Sequence, residues 1–219
     1  MIKLYTSPTP NGWKATITLE ELQIPYELNV IDFIKKEQHT PMFLALNPNG
    51  RIPVILDTES NTTIFESGAL MLYLAEKAGA LMPKDPQGYW AAMQWLMFQM
   101  GGIGPMQGQA VSFERYFSED VPAARKRYKN ETRRLYEVLN KRLADVEYLA
   151  GEYSIADIAN WAWVKTHRWA RIPVDGIEHL QRWIDVIAKR PAVIKGIEVP
   201  PPTGRSDKQQ AMGASMTTS

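Results

Sequence analysis

The sequence predicts an α/β unit followed by an all-α unit, and three observations carry that expectation. Residues 2–77 place strand and helix signals in the order β-α-β and then β-β-α, which implies a mixed four-stranded sheet with helices. The stretch Ala80-Leu81-Met82-Pro83-Lys84-Asp85-Pro86-Gln87 holds two prolines and little periodicity, so it reads as a linker. Beyond it nearly everything has helical period, and six of the seven tryptophans lie there: Trp90, Trp95, Trp161, Trp163, Trp169 and Trp183. The expected division is a first domain over 1–79, a linker over 80–87, a helical domain over 88–198 and a disordered tail over 199–219.

Residues 2–5 alternate as a short strand, and after a proline-rich turn Trp13, Ile17 and Leu22 mark a helix over 13–22. A strand over 26–31, a short helix over 41–46, strands over 54–56 and 62–65 and a helix over 67–77 complete the first part. In the second part a helix over 90–99 is interrupted at Gly101-Gly102 and again at Gly104-Pro105, where the chain must kink or restart. A long helix over 120–146 takes Asp120 as its N-cap and Pro122 into its first turn. Ser154-Ile155-Ala156-Asp157 opens another helix as a capping box with Asp in place of Glu. Helices over 178–189 and 192–197 follow, with Pro191 between them. Met93, Trp95, Met97, Met100 and Met106 have helical spacing and read as core. The tail has no periodicity and too little apolar content to order itself.

Composition narrows the function. At 219 residues and 45% hydrophobic content the chain supports a proper core, and a formal net charge of +1 gives no global reason to bind nucleic acid or an anionic membrane. Met1-Ile2-Lys3-Leu4-Tyr5 runs straight into strand alternation and no apolar run approaches a membrane span, so the expected location is the cytoplasm. There is no cysteine. A structural disulfide, a Cys-rich zinc site and a Cys nucleophile are therefore excluded, and any thiol chemistry must come from a bound small molecule. His39, His167 and His179 have no ligand-like spacing, so no metal is expected.

Two segments suggest a ligand. Asn49-Gly50-Arg51-Ile52-Pro53-Val54-Ile55 reads as a turn entering a strand, and Pro53, which cannot donate to a ladder, must sit at a strand start or edge. A cis Ile52–Pro53 bond is expected there, leaving the N–H and C=O of Ile52 to pair with a bound peptide. Phe65-Glu66-Ser67-Gly68-Ala69-Leu70 puts a carboxylate and a hydroxyl at a helix opening. The helix N-terminus offers N–H groups to an anion while Glu66 offers a counter-charge to an ammonium, together a pocket for a small zwitterionic peptide. A polar helix cap uses the same residues. Thr9 and Asn11 sit where the first strand turns into the first helix, where Pro-Thr-Pro-Asn-Gly reads first as turn and cap chemistry, although the same groups could hold a thiolate and lower its pKa.

These segments, with the opening Tyr5-Thr6-Ser7-Pro8-Thr9-Pro10-Asn11-Gly12, resemble the thioredoxin-like glutathione-binding domain of glutathione transferases. The nearer resemblance is to the Nu-class branch, which includes a bacterial glutathione-dependent disulfide-bond oxidoreductase. It is carried by Thr9-Pro10-Asn11-Gly12, Asn47-Pro48-Asn49, Gly101-Gly102-Ile103-Gly104-Pro105-Met106, Glu131-Thr132-Arg133-Arg134-Leu135-Tyr136 and Tyr153-Ser154-Ile155-Ala156-Asp157-Ile158-Ala159, spread over roughly the first 198 residues.

The resemblance implies a thioredoxin-like domain, a C-terminal helical bundle, and glutathione as cosubstrate. It implies that Thr9 and Asn11 contact the glutathione sulfur, with Ser7 and Tyr5 as the rivals that other classes would use. Glu66 and Ser67 would take the γ-glutamyl amine and carboxylate, Ile52 the peptide backbone, Arg51 the glycyl end, and Gln38 would reach the same ligand. Arg134, with Arg133 beside it, would hold glutathione across the interface of a homodimer, and Asp157 would be a structural cap. The implied activity is disulfide reduction by bound glutathione thiols. A transferase conjugating or cleaving a small electrophile and a catalytically weak glutathione-binding regulator are the alternatives, and whether one or two glutathiones bind stays open.

Overall fold

Period-2 alternation in strand β1 (Ile2–Thr6) fixes the first sheet. In the computed structural model, which describes residues 1–201, β1 pairs parallel with β2 (Tyr26–Val30) and antiparallel with β3 (Val54–Asp57). β3 pairs antiparallel with β4 (Thr62–Phe65), giving the expected mixed four-stranded sheet in the order β2-β1-β3-β4. Parallel pairing of β1 with β2 demands a crossover, and helix α1 (Pro10–Glu21) supplies it. Ile2, Leu4 and Ile55 point to one face, where they meet Ala15 and Leu19 of α1 and Leu70 and Leu74 of α3 (Ser67–Ala78). Val54, with Ile31, Phe33, Phe43, Ile52 and the partly buried Tyr5 and Leu46, fills the other face, under α2 (Pro41–Leu46).

Helix α1 starts three residues before the apolar stripe suggests, because Thr9 caps it and Pro10 opens its first turn. It is buried on every side from Gly12 to Leu19. Part of that cover comes from the far end of the described chain, where α9 (Pro191–Gly196) packs on α1. Thr16 donates its hydroxyl to the Gly196 carbonyl at 2.7 Å. A Cβ on Gly196 would stand 2.7 Å from Ile17 Cγ1 and 2.8 Å from the Ile17 backbone, so only glycine permits this approach. Contacts accordingly divide the described residues into one unit of Met1–Ala80 with residues 191–201, and a second of Leu81–Arg190. The sequence places residues 191–198 with the helical domain instead. A six-residue helix shows too little period to reveal which unit it packs on. The expected tail, from residue 202 onward, lies outside the described residues.

The second unit is helical. Its α4 (Pro86–Phe98) begins earlier than the periodicity implies, since Asp85 caps it by accepting the Gly88 N–H at 2.8 Å. At Gly101-Gly102 the chain does not break; residues Gln99–Ile103 widen into a π-helical turn that leads into α5 (Gly104–Arg115), whose first turn holds Pro105. Helix α6 (Pro122–Asp145) is not capped by Asp120. Pro122 at the first helical position moves the cap to Val121, and the Asp120 carboxylate pairs with Arg125. Helices α7 (Ile155–Val164) and α8 (Glu178–Ala188) complete the unit.

Its core differs from the expected methionine stripe. Ala92, Leu96, Gln99 and Ile103 share one helical face and are fully buried, whereas Met97 is 51% and Trp90 60% exposed. Met93, Trp95, Met100 and Met106 are only half-buried. The methionines at 93, 97 and 100 recur with the same 3.6-residue period one residue round the helix, so spacing alone cannot tell the two faces apart. Gln107 ties the centre together, accepting the hydroxyl of buried Tyr136 at 2.8 Å and donating to the Trp163 carbonyl at 2.6 Å.

Candidate functional site

Within the first unit, three chain turns carry the residues singled out from sequence: the β1–α1 turn, the loop before β3, and the opening of α3. In the β1–α1 turn, Ser7 is buried and donates its hydroxyl to the Ile31 carbonyl, tying the turn to the end of β2. Tyr5 packs edge-on against Phe43, ring centroids 6.5 Å apart, on the α2 face of the sheet. Both rival hydroxyl residues thus have structural work. Thr9 differs. Its oxygen accepts the Gly12 N–H at 3.2 Å, and its hydroxyl makes no other hydrogen bond among the described residues, so its proton remains to be donated. Gly12 is what lets the turn fold back on the helix, because a Cβ there would stand 2.1 Å from the Ser7 carbonyl oxygen. Asn11 lies half-buried in the same first turn of α1.

Asn47 builds the second turn. Its amide donates to the Arg51 carbonyl at 2.6 Å, its side-chain oxygen accepts the Asn49 N–H at 2.9 Å, and its own carbonyl accepts the Gly50 N–H at 3.0 Å. Gly50 takes φ +62°, and a Cβ on it would be 3.2 Å from the Gln38 carbonyl, so this glycine brings the Gln38 segment against the loop. Gln38 is therefore buried at 4% exposure rather than solvated, with its side-chain oxygen lacking a partner among the described residues. Arg51 is exposed. The Ile52–Pro53 bond is cis, as expected, and Ile52 precedes the β3 ladder, which starts at Val54. The Ile52 backbone makes no turn or loop hydrogen bond among the described residues.

The third turn places Glu66 immediately before α3 with φ +68° and ψ +119°, a left-handed conformation unusual for a residue with a side chain. Such backbone strain costs about 1–3 kcal/mol and persists where a side chain must point one way. The Glu66 side chain is exposed, and Ser67 beside it is buried. Sequence reasoning missed the residue beneath them. Lys14 of α1 is 2% exposed, and its ammonium donates to Ser67 Oγ at 3.3 Å. Burial pulls the Lys14 pKa down to about 7, opposed by the Glu66 charge. Nothing in Trp13-Lys14-Ala15-Thr16 flags it, since a helical lysine is ordinarily solvated.

Arg134 lies in the second unit, on α6, 58% exposed and bidentate to Glu131 at 2.7 and 2.9 Å. Arg133 is spent otherwise, donating to Glu137 and to the carbonyls of Pro173 at 2.9 Å and Asp175 at 3.0 Å. Among the described residues no group of three or more His, Cys, Asp or Glu could hold a metal ion, and no helix is long and apolar enough to cross a membrane.

Chemically, the first-unit residues offer an acceptor for an ammonium (Glu66), a donor hydroxyl and helix N–H groups for a carboxylate (Ser67 and the start of α3), and a backbone pair for a peptide (Ile52). A hydroxyl donor at the start of α1 (Thr9) suits an anionic sulfur.

Comparison with known proteins agrees with this layout. Residues 1–76 match the model of the glutathione S-transferase N-terminal domain, and residues 95–191 that of the glutathione S-transferase C-terminal domain. The chain is 44% identical over 198 residues to the disulfide-bond oxidoreductase YfcG of Escherichia coli, covering 88% of this chain and 92% of the relative. A glutathione transferase from Pseudomonas putida, solved with one glutathione disulfide bound per subunit, superposes with a TM-score of 0.87 at 41% identity, covering 91% of each chain. Another from Burkholderia graminis, with two glutathione molecules bound per subunit, superposes with a TM-score of 0.86 at 40% identity, covering 92% of this chain and 89% of the other.

Proposed function

The chain belongs to the glutathione S-transferase family, and from that membership we propose that it is a glutathione-dependent disulfide-bond oxidoreductase of Nu-class type whose reactive thiols belong to bound glutathione. One observation carries the reading: a chain with no cysteine is 44% identical to a protein named as a disulfide-bond oxidoreductase. The sulfur must then be borrowed. One glutathione thiolate attacks a sulfur of the disulfide substrate, forming a mixed disulfide and expelling a thiolate. A second glutathione thiolate attacks the glutathione sulfur of that mixed disulfide, giving glutathione disulfide and releasing the second substrate thiol. Both electrons come from the two glutathiones, and the expelled thiolates take up the protons that the glutathiones lost. The solved relatives holding two glutathiones and a glutathione disulfide correspond to the two ends of this exchange.

In this reading Glu66 takes the γ-glutamyl ammonium, Ser67 its carboxylate and the Ile52 backbone the cysteinyl peptide group. Arg51 and Gln38 serve the glycyl end. Thr9 and Asn11 serve the sulfur, and the α1 N-terminus lowers its pKa. Turnover of 2-hydroxyethyl disulfide with glutathione, followed by NADPH consumption through added glutathione reductase, is the expected result. Conjugation of 1-chloro-2,4-dinitrobenzene without disulfide turnover would make the chain a conjugating transferase, and tight glutathione binding with neither activity would make it a regulator. The cytoplasm, where glutathione is kept reduced, is the proposed setting.

A homodimer is part of the same proposal, because Arg134 reaches glutathione across a subunit interface in the family resemblance. The exposed apolar residues Trp90 and Met97, two turns apart on α4, support a pairing surface. Sedimentation should give twice the chain mass of 24.9 kDa. A species at the single-chain mass under assay conditions would remove both the dimer and Arg134 from the site.

A further inference from the structure

Helix α6 carries Glu131 and Arg134 three positions apart, so the two side chains share one face of the helix. They meet edge to edge. Arg134 Nη2 donates to Glu131 Oε1 at 2.7 Å and Nε donates to Oε2 at 2.9 Å, which fills the Nε–Nη2 edge of the guanidinium. A guanidinium holds five N–H groups in one rigid plane, so the neighbouring Nη1–Nη2 edge keeps a second pair of parallel donors. Among the described residues, Arg134 makes no hydrogen bond through Nη1. Its neighbour Arg133 is committed instead to Glu137 and to the Pro173 and Asp175 carbonyls.

The charges around this pair suit an anion. Glu131 by itself would cancel Arg134 and repel an incoming carboxylate, but Arg127 lies 3.6 Å from Oε2 on the preceding turn. Two arginines and one glutamate leave the trio at a net +1. The hydrogen bond from Arg134 holds the Glu131 carboxyl below its ordinary range, so the acceptor stays ionised at neutral pH. The Glu131 side chain is 19% exposed and Arg134 stands outside it, open to solvent. An unpaired arginine would surrender its rotamer freedom on meeting a ligand, whereas one already paired has little left to lose.

We propose that Glu131 is a positioning residue for Arg134, fixing the guanidinium so that its Nη1–Nη2 edge faces outward as a fork for a carboxylate of the glutathione held by the partner subunit. The proposal rests on the assignment of Arg134 to glutathione across a homodimer. Glu131 itself touches neither glutathione nor the reacting sulfurs.

The test measures binding of S-methylglutathione, whose blocked sulfur cannot react, to the full-length protein by titration calorimetry. Arg134→Ala should bind about tenfold more weakly, through loss of a charge-assisted fork to a carboxylate. Glu131→Gln should bind about fivefold more weakly, because the fork is then no longer fixed in advance. It should melt and sediment with the parent, since an exposed ion pair on one helix adds little to stability. Added to Arg134→Ala, Glu131→Gln should cause no further loss. Glu131→Asp keeps the charge on a shorter stem that cannot span both nitrogens, so it should bind as weakly as Glu131→Gln.

The outcomes separate the two readings. If Arg134→Ala binds as tightly as the parent, Arg134 leaves the site and the role of Glu131 falls with it. If Arg134→Ala binds weakly while Glu131→Gln binds like the parent, Arg134 stands and the Glu131 proposal is overturned. It is overturned equally if Glu131→Gln weakens binding further in the Arg134→Ala background, or sediments at the single-chain mass where the parent is a dimer. Should Glu131→Gln not fold, Glu131→Asp decides: binding as tight as the parent's would show that the charge suffices and its alignment does not matter.

Discussion

Asp157→Ala is expected to lower the unfolding free energy by about 3–5 kcal/mol, because it strips the partner from several buried donors at once, each costing about 1–3 kcal/mol when orphaned. Asp157 Oδ1 accepts the Leu149 N–H and the Trp183 indole N–H, both at 2.9 Å. Oδ2 accepts the Ser154 N–H at 3.0 Å and the Ser154 hydroxyl at 3.2 Å. One carboxylate thus joins the start of α7, the chain before it and the core tryptophan of α8. Thermal unfolding should show a midpoint lower by roughly 8–15 °C at this chain length. Burial pushes the Asp157 carboxyl up to about 6, the four donors pulling it back. A raised carboxyl stabilises the fold below its ordinary range and loses that contribution as pH rises through about 6, so the gap between parent and variant should widen from pH 7 to pH 5. A variant that melts with the parent would show that the capping box contributes little, and that α7 is held by packing alone.

The features legible in the sequence share a local cause. The first strand follows from alternation, the cis bond from a proline at a strand entrance, the capping box from Ser154 and Asp157 three residues apart, and the start of α3 from the polar Glu66-Ser67 pair before an apolar run. Features that depend on long-range packing were hidden. Lys14 and Ser67 are 53 positions apart, and only the packing of α1 on α3 makes that lysine a buried one. Gln38 looks solvated in its charged run, and becomes buried because Gly50 lets a distant loop close over it. Helix α9 belongs with α1 through the bare backbone of Gly196, which no periodicity announces. Asp120 failed as a cap for a local reason, as Pro122 shifted the helix start by one residue.

Thr9→Ala is expected to reduce kcat/KM for disulfide reduction by about 10–100-fold, since losing one hydrogen bond to a thiolate is worth about 1.5–3 kcal/mol. The Thr9 hydroxyl has two tasks, accepting the Gly12 N–H as cap of α1 and donating to sulfur, and alanine removes both. The cap loss alone should cost about 1 kcal/mol of stability. Thr9→Ser keeps both tasks, so it should restore turnover and melting temperature together. A purely structural Thr9 would move stability without moving the ionisation of bound glutathione. Thiolate absorbance of the complex should instead titrate at higher pH in Thr9→Ala than in the parent, with glutathione affinity changing less than turnover. Alkylating reagent, once removed, should leave the parent fully active and no glutathione should be found covalently attached, because the chain has no cysteine. Ser7→Ala is the counter-test. Its hydroxyl is committed to the Ile31 carbonyl, so the variant should lose stability and keep its turnover per folded molecule. If Ser7→Ala abolished activity while Thr9→Ala kept all of it, the sulfur would lie against the serine, and the protein would be a serine-type conjugating transferase.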